Sequence, residues 1–84
     1  MTTRVILTVL GTDRPGLTRS LADAVMAAGG NWLESQLARL GGQYVGAVLV
    51  ELPEPQVERL RAETARIAAD GLTVAVVAAG EEPQ

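Results

Sequence analysis

Cysteine, histidine, lysine and phenylalanine are all absent from this chain of 84 residues. Without cysteine there is no disulfide and no thiol nucleophile, and without histidine there is no imidazole acid–base chemistry; lacking both also excludes a zinc site. Aromatics are nearly missing too, with Trp32 and Tyr44 alone. The core must therefore be built from valine, leucine, isoleucine and alanine. No run reaches the roughly 18 apolar residues that span a bilayer, and the N-terminus lacks a charged region followed by an apolar signal stretch. A soluble cytoplasmic protein is the expectation. The net charge is −3, and the arginines are scattered from Arg4 to Arg66. That argues against direct nucleic-acid binding, which needs a clustered basic surface.

What remains is apolar and patterned, with hydrophobic residues making up 48% of the chain. A chain this short buries only about 60 to 65% of its unfolded surface, so its core is thin and invites completion by a partner subunit. Arg4 to Leu10 reads as a strand with two apolar faces, which places it centrally in a sheet. Leu17, Leu21, Ala24, Val25 and Ala28 then recur as one helical stripe. Pro15 suits the first helical turn, and Asp13 or Thr12 is a plausible cap. Gly29-Gly30 stops the helix, one of them free to take a left-handed conformation.

Asn31 to Leu40 reads as extended, but its alternation breaks. Trp32 shares a parity with Glu34 and Gln36, while Leu33 and Leu37 take the other. Either a bulge or a second subunit over the other face would reconcile this. Gly41-Gly42 is a two-residue hairpin turn, and Gln43 to Leu52 continues as a strand. Pro53-Glu54-Pro55 ends it and starts a second helix, with Val57, Leu60, Thr64, Ile67 and Ala68 as the buried stripe and the charged residues paired on the wet face. Asp70-Gly71 closes that helix, and Leu72 to Ala79 is the last strand.

The order strand, helix, strand, strand, helix, strand gives an α+β fold: ferredoxin-like βαββαβ, a four-stranded antiparallel sheet with both helices on one face. Right-handed crossovers set the strand order 4-1-3-2. The second face still carries apolar side chains, which usually marks an interface. Residues 1–80 read as a single domain and 81–84 as a polar tail.

Chemistry concentrates at Thr12-Asp13-Arg14-Pro15-Gly16. A strand ends there, a helix begins, and an acid stands beside an arginine. Such a corner suits a small zwitterion better than bond breaking. Asp13 can accept from an ammonium group or cap the helix. Arg14 can pair with a carboxylate or stand solvated beside Asp13. Gly16 either lets a ligand or facing subunit approach closely or is merely a small residue in the first turn. Asn31 can hold either end of an amino acid or serve a turn. Trp32 and Tyr44 can wall a pocket, anchor an interface or fill the core. Glu34, Gln36 and Arg39 read as guards of a sheet edge, or as residues fixing register in a dimer; Glu51 reads as solvated. No catalytic constellation is present, so an enzyme is not expected.

The run from Leu10 to Leu17, a helix, then Gly30-Asn31-Trp32-Leu33-Glu34 and a glycine hairpin resembles an ACT domain. The stretch through Asp13-Arg14-Pro15-Gly16 and on to Ser35-Gln36-Leu37-Ala38-Arg39-Leu40-Gly41 is similar to the glycine-cleavage-system repressor group. The resemblance covers nearly the whole chain and is strongest over residues 5–50. It implies a regulatory module that pairs its sheets side by side in a homodimer and binds a free amino acid such as glycine or serine at the pair interface. The implied site is the first loop with the start of the second strand, so the candidate ligand-binding residues are Thr12, Asp13, Arg14, Gly16, Asn31 and Trp32. It implies neither cofactor nor metal, and a regulated partner protein of unknown identity. The repressor group carries two such domains where this chain holds one. The alternative is a ligand-free dimerisation or docking module for an enzyme or transcriptional regulator.

Overall fold

The computed structural model describes residues 1–68 and 71–80. Strand β1 runs Thr2–Thr12, helix α1 Leu17–Ala27, β2 Asn31–Leu40, β3 Gln43–Pro53, helix α2 Val57–Ile67 and β4 Leu72–Ala78. A short 3-10 turn, Glu54–Gln56, leads into α2. The four strands form one antiparallel sheet in the order β2-β3-β1-β4. This is the expected ferredoxin-like arrangement, with β1 and β3 inside and β2 and β4 at the edges.

Alternation along the strands sorts the side chains. Val5, Leu7 and Val9 of β1 and Tyr44, Val48, Val50 and Leu52 of β3 are buried beneath the helices. α1 closes the layer with Leu17, Leu21, Ala24, Val25 and Ala28, all buried, which is the stripe its spacing predicts. α2 contributes less, burying Leu60, Thr64 and Ile67. Its buried threonine hydroxyl is satisfied by the Arg61 carbonyl at 3.1 Å. Arg59–Glu63 and Arg61–Glu58 pair on its outer surface.

Both glycine stops behave as glycine chemistry requires. Gly29 takes φ 70°, and Gly29 and Gly30 donate to the carbonyls of Met26 and Val25, each at 2.9 Å, closing α1 in a Schellman turn. Gly41 and Gly42 both have positive φ, the requirement of a type I′ hairpin.

One open alternative is decided and two expectations change. β2 is bulged between Trp32 and Glu34, so the break in its pattern is an extra residue in the strand. α2 ends at Ile67, and Ala68 is extended, before the expected stop at Asp70-Gly71. Glu51 is not simply solvated: its Oε2 lies 3.3 Å from Arg4 Nε across the β1–β3 pair. Asp70 and the expected tail at 81–84 lie outside the described residues. Among the described residues, no helix is long and apolar enough to cross a membrane.

Candidate functional site

β1 delivers the chain to the corner at Thr12, whose N–H donates to the Gly71 carbonyl at 3.2 Å and ties the loop to the entry of β4. Helix α1 then starts at Leu17 with Gly16 as its N-cap, in the left-handed region at φ 78°. No side chain caps it. The expected cap by Asp13 or Thr12 and the placement of Pro15 inside the first turn are therefore corrected.

Asp13 has a better partner than a backbone amide. Its Oδ2 lies 2.7 Å from Arg39 Nε on β2. The bulge makes this contact possible. Trp32 and Leu37 both pack toward the helices, although their numbers differ in parity. The extra residue reverses the alternation, and Arg39 then falls on the same side as Leu37 and Tyr44, its pairing partner on β3.

Arg14 also has a fixed partner. Its Nη2 donates to the Ile67 carbonyl at 2.8 Å, capping the last turn of α2. This replaces the picture of a solvated arginine beside Asp13. Arginine carries five donors, so its other N–H groups can serve a second acceptor. Tyr44, buried in the sheet, shares a 2.7 Å hydrogen bond with Thr18 on α1.

Together these residues line a concavity of about 490 Å³ bounded by residues 13–19, Arg39 and Tyr44. Among the described residues, Arg14, Arg19 and Arg39 stand there against Asp13 alone, three positive charges to one negative, a local balance of +2. Ser20 is the first amide to bond back in helical fashion, to the Gly16 carbonyl at 2.9 Å. The amides of Thr18 and Arg19 before it thus have no backbone acceptor among the described residues. Open amides, a helix N-terminus and excess guanidinium favour a carboxylate.

A methyl group on Gly16 would meet nothing within 4 Å, so that glycine is required by its φ rather than by a close approach. Gly16→Ala should cost about 1–2 kcal/mol, the penalty of a left-handed alanine. Chemical denaturation of the variant checks this, and a cost near zero would mean the helix start has another way to form.

The expected site residues do not all meet in one chain. Thr12 to Gly16 form the corner. Asn31 is aligned with Glu51 and Arg4, whereas Leu40 is aligned with Gln43 and Thr12. Asn31 is therefore about 27 Å away at the other end of the sheet, eight pairing steps along β3. Trp32 is half-buried and packs against both core clusters, a structural position. Conversely, Thr18, Arg19 and Arg39 line the corner without having been singled out for it, while Tyr44, read as a possible pocket wall, does line it. The parity of Arg39 with Leu37 was the available signal, readable once the bulge is placed.

Against known proteins, the family model of the ACT domain matches residues 3–77. No curated protein matches the sequence. Among solved structures, a protein of unknown function from Galdieria sulphuraria shares 23% identity with a TM-score of 0.83, over 99% of this chain and 48% of that one. A protein assigned as a glycine cleavage system transcriptional repressor shares 21% identity with a TM-score of 0.85, over 100% of this chain and 49% of that one. The ACT domain from the GTP pyrophosphokinase of Chlorobium tepidum shares 14% identity with a TM-score of 0.67, over 92% of this chain and 100% of that one. The present chain thus spans about half the length of the first two. At such identities these likenesses speak of the fold alone. The match of the family model over most of the sequence, on a βαββαβ fold, places the chain in the ACT domain family of regulatory modules.

Proposed function

We propose that this domain senses a free amino acid, glycine or serine in size, at the Thr12–Gly16 corner and passes its occupancy to a partner protein. The observation that carries this reading is the cationic concavity at the start of α1, where Arg14, Arg19 and Arg39 surround amides without acceptors. The ligand carboxylate would sit against those amides and the free guanidinium donors. Its ammonium needs an acceptor, and among the described residues Asp13 is the one carboxylate lining the concavity.

A second copy would complete the pocket. β2 is an edge strand of 10 residues, and most of it is exposed. Its outer backbone groups are a ready template for another strand. Antiparallel pairing with a second β2 would bring Asn31 of the partner subunit beside the Leu40 end, close to the Asp13–Arg39 pair. The two halves of the expected site, separated in one chain, would then meet between two. The Asn31 carboxamide would offer the ammonium a second acceptor.

Regulation follows from competition. Arg39 pairs with Asp13; a ligand carboxylate drawing on the same guanidinium would loosen that link and alter how β2 is held. Thermal unfolding with each amino acid at millimolar concentration tests the proposal. At a hundred times Kd the stabilisation is about 2.7 kcal/mol, an upward shift of at least about 10 °C for a domain of this size. Arg39→Ala should abolish the shift, and no response to any amino acid would rule the reading out. A second reading is a ligand-free docking module, favoured by the long free edge of β2. In that case Arg39→Ala would leave partner binding intact.

A further inference from the structure

The two edges of the sheet differ in what restrains them. β2 carries Glu34 and Arg39 and is bulged, features that limit what can pair with it and in which register. β4 has no such feature of its own. Its seven residues, Leu72-Thr-Val-Ala-Val-Val-Ala78, include no charge, proline or glycine. Short uncharged segments of this β-branched kind pair readily with copies of themselves.

The register shows which backbone groups β4 leaves open. Its pairing with β1 runs from Val5–Ala78 to Gly11–Leu72. Just beyond the two ends, Thr12 N–H donates to the Gly71 carbonyl at 3.2 Å and Ala79 N–H to the Arg4 carbonyl at 3.0 Å. Bonded pairs alternate with non-bonded ones in an antiparallel ladder. Leu72, Val74, Val76 and Ala78 therefore turn their N–H and C=O groups away from β1, toward the free edge. The Val76 carbonyl, near the middle of that row, is already taken. Arg61 Nη1 on α2 donates to it at 3.0 Å. Glu58 steadies the same guanidinium, with Oε1 3.5 Å from Nε. Among the described residues this is the one side-chain hydrogen bond that reaches the β4 edge.

We propose that Arg61 is a guard, barring the free edge of β4 to the β4 of a second copy. An added strand lies only about 4.8 Å away and builds its ladder on those same outward groups. It would have to expel the guanidinium from the Val76 carbonyl or enclose it. Enclosed, the cation would lie between two strands that carry no acid, and burying a charge without a partner is costly. Self-pairing doubles the difficulty, because each copy brings its own Arg61 to the same seam and like charges facing across strands repel. A second copy is thus the partner excluded: it carries both the matching uncharged strand and the opposing arginine.

The guard also limits assembly. Pairing of β2 with β2 and of β4 with β4 are each two-fold contacts, on opposite edges of one sheet. Used together they would alternate without closing and build a ribbon of indefinite length. With β4 barred, growth through sheet edges stops at a pair, and the guard acts whether or not β2 is engaged.

Arg61→Leu removes the donor and the charge while keeping a good helix former. Sedimentation equilibrium from low to high micromolar concentration should give this variant at least twice the average mass of the wild type, with a cooperative melt retained. Hydrogen exchange reads the seam itself. The Val74 and Val76 amides face the free edge and should exchange fast in the wild type; in the variant they should slow at least tenfold as concentration rises. Adding Thr73→Lys, which puts a charge on the strand at an exposed position, should return both readouts to wild-type values. A folded Arg61→Leu protein with the wild-type mass would overturn the proposal. So would a gain in mass that leaves the two amides unprotected or survives Thr73→Lys, since association would then run through another surface. Arg61→Gln covers the case in which the leucine variant does not fold: it should assemble likewise, and a wild-type mass for it would be equally fatal. No readout involves an amino acid, so failure here leaves the sensing proposal standing, and the reverse also holds.

Discussion

A chain carrying Gly46→Ala is expected to show no cooperative unfolding transition. Gly46 sits mid-strand in β3, opposite Val9 of β1 on one side and Leu37 of β2 on the other. A methyl group built there would fall on the Gln36 carbonyl oxygen and the Leu37 Cα. Both are backbone atoms of the neighbouring strand, so no rotamer change relieves the contact. The β2–β3 ladder would have to open at its centre. That would also withdraw Leu37, which packs against both core clusters. A cost above about 4 kcal/mol belongs to this kind of backbone conflict. For a domain of this length the whole stability is only about 4–13 kcal/mol. Circular dichroism melting and the dispersion of amide resonances report the outcome directly. Gly42→Asn is the internal control: its φ of 79° is one that asparagine tolerates, and no atom stands within 4 Å. A Gly46→Ala protein melting within a few degrees of the wild type would show that the two strands are less closely apposed than described.

Gly46 also shows where sequence reading stops. The pattern Tyr44, Gly46, Val48, Val50, Leu52 marks one face of a strand, and all but the glycine are buried as that alternation demands. Such alternation is a local property and can be read locally. So are the α1 stripe, its Schellman stop and the Gly41-Gly42 turn, because each is fixed by residues a few positions apart. The need for glycine at position 46 is not local, since it comes from a strand ten residues earlier folding back against it.

The corner divides the same way. Thr12 to Gly16 stand out as a strand-to-helix turn carrying charge. Yet Asp13 was equally suited to capping α1, and its actual partner, Arg39, is distant in the chain. Only the bulge in β2 puts that arginine on the helix side of the sheet. Arg14 is tied to Ile67 across the molecule, a contact no spacing rule contains. Asn31 shows the converse limit. It stands out beside the glycines, but the antiparallel register carries it to the far end of the sheet.

Leu60→Ala is the second large effect expected, about 3–4 kcal/mol, within the range for burying alanine in place of leucine. α2 has few anchors. Leu60 is completely buried among Leu7, Val25 and Val50 and their neighbours, while Thr64 and Ile67 hold the other end. One further tie runs from Arg61 Nη1 to the Val76 carbonyl at 3.0 Å. Without Leu60 the first half of the helix would rest on half-buried Val57. The melting temperature should fall by at least about 12 °C. The reach of this change extends to the proposed site, because Arg14 is positioned by the last carbonyl of the same helix. Leu52→Ala provides the comparison: it empties the same cluster from β3, whereas the carbonyl that holds Arg14 belongs to α2. Both variants should lose similar stability, but Leu60→Ala alone should weaken amino-acid binding, measured calorimetrically well below either melting temperature. Equal affinities in the two would mean that Arg14 holds its position in the corner without help from α2.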